Sequence, residues 1–296
     1  YSYGHSNVFG DNGATTNEER KRRKTLINNE IGEYSVVNSN GNRYTFGQPV
    51  FARNEVTISY DATPDPAERS KTSIINKNVK PENLKNTAVA IGEQHTDPYV
   101  TSHLLTEITT PDYVDRTNDG PTKDDFGGWV KFNYTPVHGG TNNKYGTDAW
   151  FKWRSPQYGL NYSMGPLSRP EDDMGTVSYG EREIYVLESI ETATHIAKFT
   201  VDINGRFDGQ GAGITDENLF ANNFPVSASI TTGLPSPMLQ HIDLYVFQPD
   251  GTLTTGQKPL KSVYFAYDYS AWPKSWDNSH MSSTDNNGKL TLKKVW

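Results

Sequence analysis

The sequence predicts an all-β, mainly antiparallel fold, either a large sandwich or an extended sheet with long loops, preceded by one short helix. Three observations point there. From residue 33 onward, apolar and polar residues alternate with a period of two, which places successive side chains on opposite faces of a strand. Aromatic residues reach 12% while the hydrophobic total is only 34%, so burial must come from Tyr, Phe and Trp more than from Leu and Ile, a skew that suits sheets. Gly, Pro, Asn and Asp gather between the alternating runs, where turns need them.

The elements follow in chain order. Residues 1–32 form an N-terminal segment whose stretch TTNEERKRRKTLINNEIG carries the one helix signal: Thr16 and Glu19 stand at capping-box spacing and Gly32 is a stop. Its basic run from Arg20 to Lys24 reads as a solvated flank, in preference to a phosphate-binding patch. Residues 33–296 form the β-rich domain. EYSVVNSNGNRYTFG predicts a hairpin about Asn40-Gly41, a dipeptide that accepts the positive φ angles of a type I′ turn. Further strands are expected at 55–60, 100–109, 129–135, 149–154, 182–190, 194–202, 241–247, 261–269 and 289–296. Strands in succession with few helices between them exclude a parallel βαβ sheet. The connections at 61–73, 139–145, 155–175 and 205–225 are long, as in loops that bind something or pack against a larger assembly. A soft sub-boundary falls near 205–235.

Composition narrows the function. Cysteine is absent, which removes disulfides, thiolate metal sites and a Cys nucleophile. A formal charge of −7 argues against nucleic acid or anionic lipid as partner, and no apolar run is long enough to insert in a membrane. An acidic, Asn/Gly/Thr-rich chain of this kind is expected on a bacterial surface or outside the cell, as a piece of a longer polypeptide.

DRTNDGPTKDDFG, residues 115–127, raises the question of a structural calcium ion. Asp115, Thr117, Asp119 and Gly120 fit the first, third, fifth and sixth positions of a calcium loop, and the Pro121 carbonyl can serve the seventh. Asp124 and Asp125 fall at ten and eleven, out of register for a closing acid, and Lys123 occupies the ninth. The competing reading is a turn, with Asp and Asn side chains bonding backbone amides. EDDMG at 171–175 is a weaker acidic loop.

Other constellations carry less. GRFDGQGAG (205–213) lacks the Lys-Ser/Thr pair of a phosphate loop and reads as a flexible connection. The histidines at 5, 95, 103, 138, 195, 241 and 280 show no short zinc spacing, and no GxSxG elbow marks a serine nucleophile. Carboxylates for glycoside chemistry are available at Asp202, Glu183, Glu188, Glu191 and Asp268, with no pair singled out by spacing. In AWFKWR, Trp150 and Lys152 share one strand face while Phe151 and Trp153 share the other. Trp272 and Trp276 lie in a Pro-containing loop. Trp150, Trp153, Trp272 and Trp276 are therefore candidate sugar-stacking residues, against the alternative that they plug loops onto a core.

SNGNRYTFG (39–47) resembles the tyrosine-and-glycine repeat of Rhs/YD proteins. LLTEITTPDYVDRTNDGP, DDFGGWVKFNYT, SYGEREIYVLESIETATHIAKF, VYFAYDYS and GKLTLKKVW together look like a segment of very large secreted or cell-surface proteins of the Bacteroidota, themselves similar to Rhs and insecticidal-toxin-complex shell proteins. The resemblance covers roughly residues 30 to 296 and brings no catalytic residues. It implies a β-sheet scaffold within a shell, platform or adhesive surface, with any toxic or enzymatic activity on another domain. The expected function is a non-enzymatic structural module of a large exported, toxin-like protein, partnered by neighbouring segments of the same polypeptide or assembly. A glycan-binding, adhesin-like module and a carbohydrate-active enzyme are the alternatives.

Overall fold

The computed structural model describes residues 31–61, 92–139, 149–155, 174–206, 208–212, 233–272 and 288–296. The expected N-terminal helix, most of the acidic 171–175 loop and Trp276 lie outside these residues. The described residues are all-β and contain no helix, so none is long and apolar enough to cross a membrane.

Among the described residues fourteen strands form, more than the alternation alone marks out: β1 (Tyr34–Val37), β2 (Arg43–Phe46), β3 (Gln48–Asp61), β4 (Gly92–Thr96), β5 (Tyr99–Leu104), β6 (Glu107–Thr109), β7 (Trp129–His138), β8 (Phe151–Ser155), β9 (Met174–Arg182), β10 (Ile184–Glu191), β11 (His195–Arg206), β12 (Ser236–Val246), β13 (Lys261–Ala271) and β14 (Lys289–Val295). They build a nine-stranded sheet in the order β1-β2-β6-β7-β10-β11-β12-β13-β14 and a five-stranded sheet in the order β4-β3-β9-β8, with β5 also paired to β3. Every pairing between strands is antiparallel. β4 and β5 lie end to end along one side of β3, and β9 lies along the other.

The two sheets are joined by corners, as in a sandwich whose strands switch layers. The chain leaves the large sheet after β2 and enters the small one in β3, with Gly47 between; it returns between β5 and β6, and again between β9 and β10 at Glu183. This explains why the run expected at 100–109 is two strands and why the strand expected to start at 182 begins one corner later. Gly47 is tight: a Cβ there would come within 2.9 Å of both the Glu33 carboxylate and the Thr106 hydroxyl. At the other corner Glu183 is only 2% exposed, and the Phe51 N–H donates to its carboxylate at 3.1 Å while its own N–H donates to the Phe51 carbonyl at 2.9 Å. Gly139, with φ +70, packs on it so closely that a Cβ would meet Glu183 Cγ at 2.9 Å.

The core lies between these layers and is aromatic, as composition requires: Phe51, Ala52, Val56, Trp129, Val137, Phe151 and Tyr179 are each less than one-tenth exposed. The first hairpin forms over the expected residues, with a different turn. Only Gly41 has positive φ, at +82; Asn40 does not. The Gly41 N–H donates to the Asn38 carbonyl, and the Asn38 side-chain oxygen accepts from the N–H groups of Asn40 and Asn42, each at 3.0 Å. The turn is thus a type I turn followed by a left-handed glycine, in place of the expected type I′, because Asn38 supplies the acceptor that fixes its first half.

β11 and β12, which flank the expected sub-boundary near 205–235, are paired neighbours in the large sheet. Beyond β11 the character of that sheet changes. None of the described residues of β12, β13 or β14 is buried.

Candidate functional site

The uncovered wing of the large sheet holds the most developed surface feature. Along β12, His241, Asp243 and Tyr245 alternate with Ile242, Leu244 and Val246, so one face is polar and aromatic and the other aliphatic. The register places Thr200 of β11 opposite His241, and His241 opposite Tyr264 of β13. Tyr264 and Trp296 exchange backbone hydrogen bonds at 3.0 and 3.2 Å, so Trp296 takes the next rung at the edge. The rings of His241, Tyr264 and Trp296 stack across the strands with centroids 5.0 and 5.8 Å apart and interplanar angles of 28° and 19°. Tyr264 is 40% and Trp296 57% exposed. Lys294 sets its ammonium 5.2 Å from the Trp296 ring, and His241 Nε2 stands 3.4 Å from Asp243.

Next to this ladder, β12 and β13 part. Their pairing runs only from His241↔Tyr264 to Leu244↔Lys261, after which β13 continues against β14 alone. The gap is an open groove of about 440 Å³ lined by Gly205, Met238, Gln240, His241, Tyr264, Phe265, Tyr267 and Tyr269. Two contacts hold it open. The Tyr269 hydroxyl donates to the Gly205 carbonyl at 2.9 Å, and Asp208, 6% exposed, accepts from Arg206 Nε at 2.9 Å and from the Leu290 N–H at 3.2 Å, tying the end of β11 to the start of β14. Burial alone would raise the Asp208 carboxyl, but the Arg206 hydrogen bond, the Leu290 N–H and the Arg206 and Lys289 charges outweigh it and hold the group below the ordinary carboxylate value. The glycine-rich stretch is therefore no loose connection over 208–212. The Gly211 and Ala212 N–H groups donate to Leu234 and Lys152 carbonyls at 2.9 and 2.7 Å, and a Cβ on Gly211 would sit 2.6 Å from the Lys152 oxygen, so glycine is there for close backbone approach.

The tryptophans expected to bind sugar are placed differently from one another. Trp150 carries the Arg53 guanidinium 4.1 Å over its ring, and Arg53 in turn bonds Glu181 at 2.8 Å. Trp153 pairs across strands with Gly180, whose missing side chain makes room for the indole: a Cβ there would lie 3.1 Å from Trp153 Nε1. Both are half-buried, which fits the plugging alternative. Trp272 is 78% exposed with φ +53, just past β13. No described contact brings it to Trp150 or Trp153.

In the loop after β6, the Asp115 carboxylate accepts from the backbone N–H groups of Thr117, Asn118, Asp119 and Gly120 at 3.2, 2.6, 3.3 and 2.9 Å. Asp125 accepts from the N–H groups of Arg116 and Thr122 and from the Tyr113 hydroxyl, each at 2.9 Å. Asp119 takes the Thr117 hydroxyl at 2.6 Å, Asp124 takes that of Thr122 at 2.5 Å, and Pro121 is buried. The carboxylates are spent on the chain's own donors, which favours the turn. Among the described residues no group of three or more His, Asp or Glu is arranged to hold a metal ion.

The acids considered for glycoside chemistry each meet a different partner: Glu183 at its corner, Glu188 on the Thr135 hydroxyl, Glu191 on Asn133 at 2.7 Å, Asp202 near Gln240 at 3.5 Å and Asp268 on Lys293 at 3.1 Å. A further perturbed carboxyl is Glu107 of β6, which no spacing rule singles out. Burial, reinforced by the Glu33 charge against Lys131, pushes it up to about 7. Among the histidines, His138 is 3% exposed, bonds the Pro235 carbonyl at 2.6 Å, and is pushed down by burial, a packed imidazole. His103 lies 2.6 Å from the Ile31 carbonyl.

The ladder and groove escaped sequence reasoning because they depend on which strands are adjacent and where their pairing stops. The signal that was available is the aromatic alternation of Phe265, Tyr267 and Tyr269. No protein-family model, curated protein or solved structure matches the chain.

Proposed function

We propose that the chain is a non-enzymatic β scaffold module of a large exported bacterial surface or toxin-like protein, set edge to edge against neighbouring β structure of the same polypeptide or assembly. The observation that supports this reading is the state of both edges of the nine-stranded sheet. Tyr34, Val36 and Val37 of β1 are 40%, 42% and 56% exposed, and Leu292, Val295 and Trp296 at β14 are 52%, 51% and 57% exposed. A strand edge that presents unpaired backbone groups beside large apolar side chains is a template for strand addition. Lys289 and Lys294 temper it at β14, so that addition there is selective for a partner that answers positive charge. The localisation, extracellular or at the bacterial cell surface, belongs to the same proposal.

Sedimentation over a concentration series tests the edges. Exposed edges give a mass that rises with concentration, and Val37→Lys combined with Leu292→Lys suppresses the rise. A wild type that stays monomeric throughout, with slow amide exchange along β1 and β14, overturns the reading, because edges already satisfied within the chain have nothing to recruit.

A further inference from the structure

We propose that the groove between β12 and β13 binds a neutral saccharide of one or two rings. The cavity of about 440 Å³ falls within the size range of small-molecule sites and is formed by the backbone itself, where two strands stop pairing. Its lining selects the ligand class by charge: it contains no Lys, Arg, Asp or Glu. A phosphate or carboxylate ligand would lose its hydration with no counter-charge to replace it, and the nearest charges, Asp202 beside Gln240 and Asp243 beside His241, would repel it. A purely apolar ligand would strip water from the Gln240 amide, the Tyr267 hydroxyl and the His241 imidazole without replacing their hydrogen bonds.

A pyranose answers both demands. Its C–H face stacks on an aromatic ring, and its rim of hydroxyls donates and accepts in the ring plane. Phe265 and Tyr267 offer rings 6.5 Å apart at 27° to one another, while Gln240 and His241 stand on the opposite strand. The Tyr269 hydroxyl is already engaged with Gly205, which makes that residue part of the wall.

Saturation-transfer NMR on the whole chain tests this, with glucose, galactose, mannose, N-acetylglucosamine and their common disaccharides as probes and glucuronic acid as the anionic control. The expected result is transfer to the C–H protons of at least one neutral sugar and none to glucuronic acid. Tyr267→Ala and Met238→Lys should each weaken binding at least tenfold, while Tyr267→Phe, which keeps the ring, and Phe126→Ala, outside the groove lining, retain it. Silence from every neutral sugar with the wild type overturns the proposal, as does binding that survives both Tyr267→Ala and Met238→Lys. Met238→Lys alters the groove at a half-buried position, so a folding failure of Tyr267→Ala leaves a second variant to decide. The outcome is separate from edge association: a blank here leaves the sedimentation result standing, and the reverse holds.

Discussion

The same period-two pattern is put to two uses in one sheet. Along β7 and β10, Trp129, Val137, Thr135 and Ser189 are buried and belong to the core. Where β12, β13 and β14 run on past it, Tyr264 and Trp296 stay in solvent as a ladder. Alternation therefore states which residues share a face, and a second layer decides whether that face is a core or a surface.

The contrast breaks most visibly under truncation. Phe151→Ala in the covered region removes a ring that is 4% exposed and should cost about 3–5 kcal/mol in chemical denaturation, whereas Phe265→Ala in the wing should cost about 1 kcal/mol. Equal losses would mean that the wing is as tightly packed as the core.

A smaller loss is expected at the clamp that holds the wing. Asp208→Ala leaves the Leu290 N–H and the Arg206 guanidinium without their buried acceptor and should cost about 1–3 kcal/mol. Because the folded-state value of this carboxyl is depressed, its contribution is present above the ordinary carboxylate range and is lost as pH falls through the folded value. The wild-type advantage over the variant should therefore shrink below about pH 4. An advantage that persists undiminished into acid would separate the clamp from its charge.

The smallest effect has the opposite sign. Glu107 is raised from 4.5 to about 7, so the folded chain holds its proton more tightly than the unfolded chain does between those values. Its contribution to stability is greatest below the unfolded value and falls as pH rises to about 7. Glu107→Gln should stabilise the protein at pH 8 by an amount on the order of 1 kcal/mol, allowing for partial exposure, and should change little at pH 5. Thermal melting at the two pH values reads the difference, and equal effects at both would remove the charge argument.

The covered region and the wing were also unequally legible. The alternation in WVKFNYT, THIAKFTVD and HIDLYVF marks β7, β11 and β12, because strand existence is a local property. The corners at Gly47 and Glu183 were not legible: a strand that changes layers keeps its alternation, and only the burial of an acid at the bend reveals the switch. The stretch β9 was missed for a related reason, since MGTVSYGER contains glycines that serve close packing, with Gly180 under Trp153. At the candidate site, the aromatic residues of β13 were visible as a pattern, but the groove arises from an end of pairing between strands, which involves no special residue type. For DRTNDG, the sequence posed a choice between ion and turn, and it took the positions of the amide hydrogens around Asp115 to weigh it.

Eight successive antiparallel pairings connect the nine strands of the large sheet, so its first and last members point the same way. A neighbour generated by sliding one copy past the other would have to join β14 to β1 in a slanted, parallel ladder, the weaker geometry per residue. A neighbour generated by a half-turn joins each border to itself in the stronger one. Parity alone thus tilts identical copies towards two-fold joints, which close into a pair when one border is used and alternate β14 to β14 with β1 to β1 along a ribbon when both are.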